Sequence, residues 1–281
     1  MKIMTIGAGF VADHLNYPKI DDRVSMTLRM ESNNMFIDSI LLRNKPDVLI
    51  NCIGKTGRPN VDWCESNKEE TSLTNTALPI VLAEACARHS VHLIQIGSGC
   101  IFFGESPNKD ESGRDLGWKE EDFANPKSYY SKTKYACDLA LGGMKHVTTL
   151  RIRMPISTKN TERNFINKVR GYKKVIDIPN SVTFMDDLVR CIDWVANERP
   201  SGIFHVTNPE PITAAQVMRE YQKYFPEHSF EVISEAELDQ LTVAKRSNCI
   251  INSEKLFNAG FRMTPSQEAL ETCMAEYVRN L

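Results

Sequence analysis

Short apolar runs rich in Val and Ile recur along the first half of the chain: KIMTIG, RVSMTL, DVLINC, VHLIQI and TTLRI. Between them stand segments whose apolar positions repeat at helical spacing, among them MFIDSILLRN and ALPIVLAEACARH. Strand and helix taking turns predict parallel strands joined by crossover helices, and nearly unbroken apolar strands predict a sheet covered on both faces. The pattern predicts an α/β fold built on a doubly wound parallel sheet of the Rossmann type.

After Pro155 the rhythm changes. A polar stretch, STKNTERN, precedes a lone strand candidate, KKVIDI, a helix, MDDLVRCIDWVANE, and a further strand, GIFHVTN. Thr213 followed by Gln216 reads as a capping box opening the helix AAQVMREYQKYF, and PSQEALETCMAEYVRN reads as a closing amphipathic helix. The expected plan is a dinucleotide-binding domain over residues 1–155, completed by 180–208, with a smaller interleaved C-terminal substrate lobe from 156–179 and 209–281.

Composition narrows the partners. The chain has 281 residues, 42% hydrophobic and 25% charged, which is the composition of a soluble globular protein with a sizeable core. A net charge of -2 and a pI near 6.3 offer no basic surplus, which argues against a nucleic-acid partner. The eight cysteines form no C-x-x-C pair and the chain starts on a strand-like MKIMTIG, so a reducing, cytoplasmic setting is expected. No apolar stretch approaches the roughly 20 residues that a membrane span needs. His89 and His92 form an H-x-x-H without a ligand pattern around it, and read as a surface helix end; no metal site is expected.

Candidate chemistry begins in the first loop. Gly7, Gly9, Phe10, Val11 and Ala12 fit G-x-G-x-x-A between the first strand and a helix, the context of a dinucleotide fingerprint. Its glycines let the backbone approach a pyrophosphate, whose charge meets the helix amino terminus. Arg29, at the end of the second strand, suits a ribose 2′-phosphate and so NADPH; Glu31 nearby leaves NADH possible.

A second signal follows the fourth apolar run, where GSGC places Ser98 and Cys100 at the carboxyl end of a strand. Tyr130 and Lys134 form the single Y-x-x-x-K of the chain, and i, i+4 spacing puts both on one helix face. A lysine ammonium beside a phenol favours the phenolate, so the expectation is that Lys134 lowers the Tyr130 pKa and makes it a usable acid or base. Ser98 can hydrogen-bond the same carbonyl oxygen, and Lys134 can also hold the nicotinamide ribose.

Fingerprint, serine and Y-x-x-x-K together resemble the extended short-chain dehydrogenase/reductase family. The segments TGRPNVDWCES, GCIF, YYSKTK, LRIRMPIS, RNFINK, IPNSVT and KRSN are similar, in order and through almost the whole chain, to nucleotide-rhamnose synthases. Those are bifunctional UDP-4-keto-6-deoxyglucose 3,5-epimerase/4-reductases related to dTDP-4-dehydrorhamnose reductase. The resemblance implies a catalytic set of Ser98, Tyr130 and Lys134, with Cys100 and Lys168 as the epimerising acid/base pair. It implies cofactor contacts from Gly7, Gly9, Phe10, Val11, Arg29, Cys52, Ile53, Gly54, Asn75, Lys134 and Pro155. It implies substrate contacts from Thr56, Arg58, Asn164, Asn180, Arg246 and Asn248.

The resemblance also implies NADPH as cofactor, a nucleotide-diphosphate sugar as substrate and a homodimer. Two readings stay beside the bifunctional one: a reductase without epimerase activity, and a non-catalytic nucleotide-binding subunit. Three departures from the family pattern are visible: G-x-G-x-x-A where most extended reductases have G-x-x-G-x-x-G, Ser98 where plant relatives have threonine, and NCIG in place of N-A-A-G.

Overall fold

The structure, a computed structural model, describes residues 1–21 and 34–281. The expected strand RVSMTL and the Arg29 and Glu31 positions lie outside the described residues. In chain order the strands are β1 (Ile3–Ile6), β2 (Val48–Asn51), β3 (His92–Ser98), β4 (Val147–Ile152), β5 (Pro155–Ile156), β6 (Lys174–Ile176), β7 (Thr183–Phe184), β8 (Gly202–His205) and β9 (Glu231–Ile233).

Five of them form one sheet in the order β1-β2-β3-β4-β8. β1 pairs with β2 and β2 with β3, all parallel, and the register aligns Ile6 with Asn51 and Asn51 with Gln95. That alignment delivers three loops to one edge: the glycine loop after Ile6, the NCIG loop after Asn51, and the Ser98 loop after β3. Carboxyl ends of parallel strands are where α/β sheets hold ligands.

The helices follow from the pattern. Leu78–Arg88, with Pro79 in its first turn, buries Leu78, Leu82, Ala85 and Cys86. These join Met4, Ile6, Leu49 and Leu93 in one core, where each large aliphatic side chain contributes about 1.5–3 kcal/mol. The helix Tyr129–Leu141 differs, because its buried positions include Ser131, Thr133, Lys134 and Asp138. A polar buried face on a well-capped helix marks a site rather than a core.

The chain divides into two compact units, one of residues 1–101, 124–151 and 189–204, the other of residues 102–123, 152–188 and 205–281. The boundaries differ from the expected ones at 102–123, 152–155, 180–188 and 205–208, which join the second unit. Within that unit Phe102 stacks on Trp118 at 4.9 Å, the Gly104 amide donates to the Asn248 carbonyl (2.9 Å), and β7 pairs with β5. KKVIDI is not alone either, since β6 pairs in parallel with β9. The second unit has its own core around Ile156, Ile166, Phe184, Met218, Leu270 and Tyr277. The capping box of Thr213 and Gln216 is formed, and the closing helix spans Ser266–Arg279.

Two expectations need correction. The fingerprint opens only a single 3₁₀ turn, Ala12–His14, so no extended helix offers its amino terminus to a pyrophosphate. His92 is not at a surface helix end: it starts β3, is buried, and lies 2.8 Å from the Thr148 hydroxyl through Nε2. His89 contacts Asp38 at 2.9 Å. Among the described residues no helix is long and apolar enough to cross a membrane.

Candidate active site

β3 carries Ser98 out of the sheet, and the helix Tyr129–Leu141 brings Tyr130 and Lys134 to it. Ser128 caps that helix by accepting from the Ser131 amide. The Ser131 hydroxyl in turn donates to the Cys100 carbonyl oxygen at 2.5 Å. The Cys100 amide donates to Ser98 Oγ at 3.2 Å, and Ser98 is near enough to the Tyr130 phenol to favour its charged form. Cys100 is thus held at both ends of its peptide unit while its thiol stays half-buried. Four predicted residues, Ser98, Cys100, Tyr130 and Lys134, meet in one cluster of the first unit.

Gly97 explains how the strand can pass here. A Cβ on it would stand 2.8 Å from Thr149 Cγ2 and 3.3 Å from Arg151 Cγ, both on β4. No side chain fits at that position, so the strand before Ser98 lies close to its neighbour.

Lys134 is buried, and its ammonium donates to the Ile96 carbonyl at 2.9 Å. The Tyr130 pKa moves opposite to expectation. Burial pushes the phenol above its ordinary value, the neighbouring Cys100 pushes the same way, and the Ser98 hydrogen bond pulls only partly back. Desolvation of the phenolate dominates. Tyr130 therefore stays a protonated donor at neutral pH, the form that a ketone reduction needs of its acid.

The first loop fits a dinucleotide. Gly7 has φ +106° and presses on the NCIG loop, where a Cβ would come within 2.8 Å of the Ile53 amide nitrogen and 2.9 Å of the Cys52 carbonyl carbon. Gly9, at φ +135°, has nothing among the described residues within 4 Å of where a Cβ would stand, so no described side chain or backbone crowds it. Phe10 and Val11 are half-buried beside it, and Gly54 is exposed. Ile53 is buried, its amide bound to Asn51 Oδ1 at 3.0 Å. Burial pushes the Cys52 thiol up to about 12, so it is neutral lining and no nucleophile.

Other candidates serve the scaffold first. Asn75 is buried and clamps Lys55 from both sides, accepting from its amide (2.8 Å) and donating to its carbonyl (2.9 Å). It fixes the loop that carries the half-buried Thr56 and the exposed Arg58. In the second unit Asn164 is fully buried, caps Phe165–Arg170 and donates to the Ser157 and Lys159 carbonyls at 2.6 and 2.8 Å. Lys168 lies on that helix and is half-buried, as is Pro155 on β5.

Asn180 is buried too, its Oδ1 accepting from Arg153 (2.7 Å) and the Cys249 amide (3.0 Å). Its Nδ2 donates to Asn248 Oδ1 at 3.2 Å, and Arg246, half-buried, donates to the Ala244 carbonyl. The sequence reading missed Arg153, buried and donating to Ser247 as well, which ties the IPNSVT and KRSN segments together. Its place on LRIR next to a strand end was the available signal. Asp138 and Arg151 were missed in the same way.

A Rossmann-like α/β fold with proton-bearing side chains gathered at the carboxyl edge of its sheet defines the class to which this protein belongs. The family is narrower: the chain belongs to that described as RmlD substrate binding domain, which matches residues 29–279. A bifunctional dTDP-4-dehydrorhamnose 3,5-epimerase/dTDP-4-dehydrorhamnose reductase of Arabidopsis thaliana is 41% identical over 215 residues, 75% of this chain and 71% of the relative. A trifunctional UDP-glucose 4,6-dehydratase/UDP-4-keto-6-deoxy-D-glucose 3,5-epimerase/UDP-4-keto-L-rhamnose-reductase of the same plant is 40% identical over 75% of this chain, which spans only 32% of it.

The fold is similar to that of a UDP-rhamnose synthase from Acanthamoeba polyphaga mimivirus, with a TM-score of 0.87 at 24% identity over 98% of this chain and 99% of the other. A dTDP-4-dehydrorhamnose reductase from Clostridium acetobutylicum gives a TM-score of 0.81 at 22% identity, with the same coverage.

Proposed function

We propose that the protein converts UDP-4-keto-6-deoxy-D-glucose to UDP-L-rhamnose, inverting carbons 3 and 5 and then reducing carbon 4 with NADPH. The observation that carries this reading is the cluster in which the Cys100 amide donates to Ser98 Oγ while Ser98 and Cys100 both act on the Tyr130 phenol. A plain ketone reductase needs the serine, the tyrosine and the lysine; a thiol held two residues beyond the serine adds a proton exchanger to the same place. The names of the plant relatives, which join an epimerase to a reductase, support the same assignment.

Protons on carbons flanking a ketone are acidic because the charge left behind spreads onto the carbonyl oxygen. Ser98 and Tyr130 are the donors that steady this oxygen as it becomes an enolate. Inversion takes a proton from one face of the ring and returns one to the other, so two exchangers are needed. Cys100 and Lys168 are assigned as these two exchangers. The reduced nicotinamide supplies the hydride for carbon 4 when bound. Tyr130 then gives its proton to the carbonyl oxygen, and Lys134 supports the phenol and the cofactor ribose.

In the loop around Gly7 and Gly9, the backbone is assigned to the pyrophosphate, with Phe10, Val11, Cys52, Ile53, Gly54 and Asn75 lining or holding the site. Thr56, Arg58, Arg246 and Asn248 are assigned to the nucleotide sugar, while Asn164 and Asn180 shape that site through the bonds described above. Incubation with UDP-4-keto-6-deoxy-D-glucose and NADPH, followed by identification of the sugar, tests the reading. UDP-L-rhamnose is the expected product. A product reduced without inversion would leave a ketone reductase only, and turnover restricted to the dTDP sugar would remove the carrier assignment.

A further inference from the structure

The buried face of the helix Tyr129–Leu141 carries one charged residue that the chemistry above does not use. Asp138 follows Lys134 by one helical step of four, as Lys134 follows Tyr130, so the three lie along one stripe. Asp138 is 1% exposed. Its Oδ2 accepts from Arg151 Nε at 2.8 Å, and Arg151 is itself 2% exposed. Its Oδ1 has no hydrogen-bond partner among the described residues. The Arg151 side chain passes over Gly97, whose missing Cβ would lie 3.3 Å from Arg151 Cγ. Side-chain-free Gly97 thus makes room for the arginine directly before Ser98.

A buried ion pair is weak support for stability, since desolving two charges offsets most of their attraction. One kept beneath a catalytic lysine asks for another explanation. The charges around the stripe can be enumerated. Tyr130 feels Cys100 and Ser98 from the loop after β3, Cys64 from the helix Asp62–Ser66, and Asp138 on its own helix. Lys134 faces the Ile96 carbonyl and acts on both Cys137 and Asp138. Burial pushes the Asp138 carboxyl above its usual range, and Arg151 first and Lys134 second pull it back towards the charged form. Of these groups Asp138 is the one carboxylate, paired directly with Arg151.

We propose that Asp138, anchored by Arg151, is a positioning residue for the reaction: its carboxylate, on the same buried helix stripe as Lys134 and Tyr130, adds to the burial that keeps the phenol protonated until the substrate oxygen takes the proton. This rests on the assignment of Tyr130 and Lys134 as the proton-donating pair. It deepens that assignment by adding the group that sets its electrostatic balance. Removing the carboxylate makes the protonated phenol easier to deprotonate, and this moves the alkaline limit of the reaction downward.

The test is the pH profile of kcat/KM for NADPH-dependent reduction of the keto sugar by the full chain, comparing wild type with Asp138→Asn. Eight residues along a helix is about 12 Å, and a unit charge at that separation in a partly buried site shifts a neighbour by roughly 0.5–1 pH unit. The alkaline limb of Asp138→Asn is expected to fall by that amount, and Asp138→Glu, which keeps the charge, to restore it. If Asp138→Asn does not fold, the neutral pair Asp138→Asn with Arg151→Gln retains the hydrogen bond and is expected to move the limb the same way by less.

A folded variant with lower kcat or lower stability but an unmoved limb would overturn the proposal and leave the pair a structural tie. Absence of keto-sugar turnover by the wild-type chain would instead overturn the proposed function on which it rests.

Discussion

Replacing Asn164 by Ala separates two roles that the residue could have. In the structure its side chain makes no use of solvent: Oδ1 accepts from the Ile166 and Ser157 amides at 3.3 and 3.2 Å, and Nδ2 donates to two carbonyls at 2.6 and 2.8 Å. Loss of the helix cap costs about 1 kcal/mol. Each of the two buried carbonyls left without its donor adds about 1 kcal/mol, for a total of about 2–4 kcal/mol once the cavity is included. Urea unfolding followed by circular dichroism reads this as a lowered midpoint at an unchanged slope. Asn164→Asp keeps the cap but sets a carboxylate against the Ser157 and Lys159 carbonyls, and is expected to destabilise at least as much. A midpoint within about 0.5 kcal/mol of wild type, with a raised KM for the nucleotide sugar, would refute the reasoning. The side chain would then be a ligand contact, as the sequence suggested, and the hydrogen bonds would be incidental.

Other outcomes follow from the same geometry. Gly97→Ala forces a methyl to within 2.8 Å of Thr149 Cγ2; it is expected to lower stability by about 1–3 kcal/mol and kcat by more than tenfold, and normal activity would contradict the close approach. Burial lowers the His92 pKa from its ordinary value to about 4, so the unfolded chain takes up this proton first as pH falls. Its contribution to stability is complete above the unfolded value and declines from about pH 6.5 towards 4; a His92→Gln variant is expected to show a flatter decline over that window, and an identical one would contradict it. Tyr130→Phe removes the proton donor and is expected to lower kcat for reduction by two orders of magnitude or more, as loss of a general acid does, with NADPH binding by fluorescence retained.

Much of this was legible in the chain because it rests on local rules. Alternating apolar runs gave β1 to β4, and the helices MFIDSILLRN, ALPIVLAEACARH and MDDLVRCIDWVANE stand within a residue or two of the expected limits. The Thr213 capping box is a four-residue pattern and was visible as such. What escaped depends on contacts far apart in sequence. Residues 102–123 look like an ordinary loop, yet Trp118 bridges to Ile251 and Phe102 stacks on it, which assigns the segment to the second unit. Asn164 and Asn180 stand in motifs that resemblance ties to the substrate, but only coordinates reveal that both amides are already engaged. The Tyr130 pKa moves opposite to the expectation because spacing reveals the lysine and not the burial that dominates the shift. Asp138 and Arg151 are an ordinary acid and base in sequence, and become a buried pair only when the fold brings the helix residue to the β4 residue.

The central claim is that a thiol beside the Ser98–Tyr130 pair exchanges protons with a bound keto sugar. Incubation of the full chain with UDP-4-keto-6-deoxy-D-glucose in heavy water, without NADPH, measures it directly by mass and NMR of the recovered sugar. Deuterium is expected at carbons 3 and 5 with the wild-type chain, and absent with Cys100→Ala. Unlabelled sugar from the wild type, or equal labelling by Cys100→Ala, would contradict it.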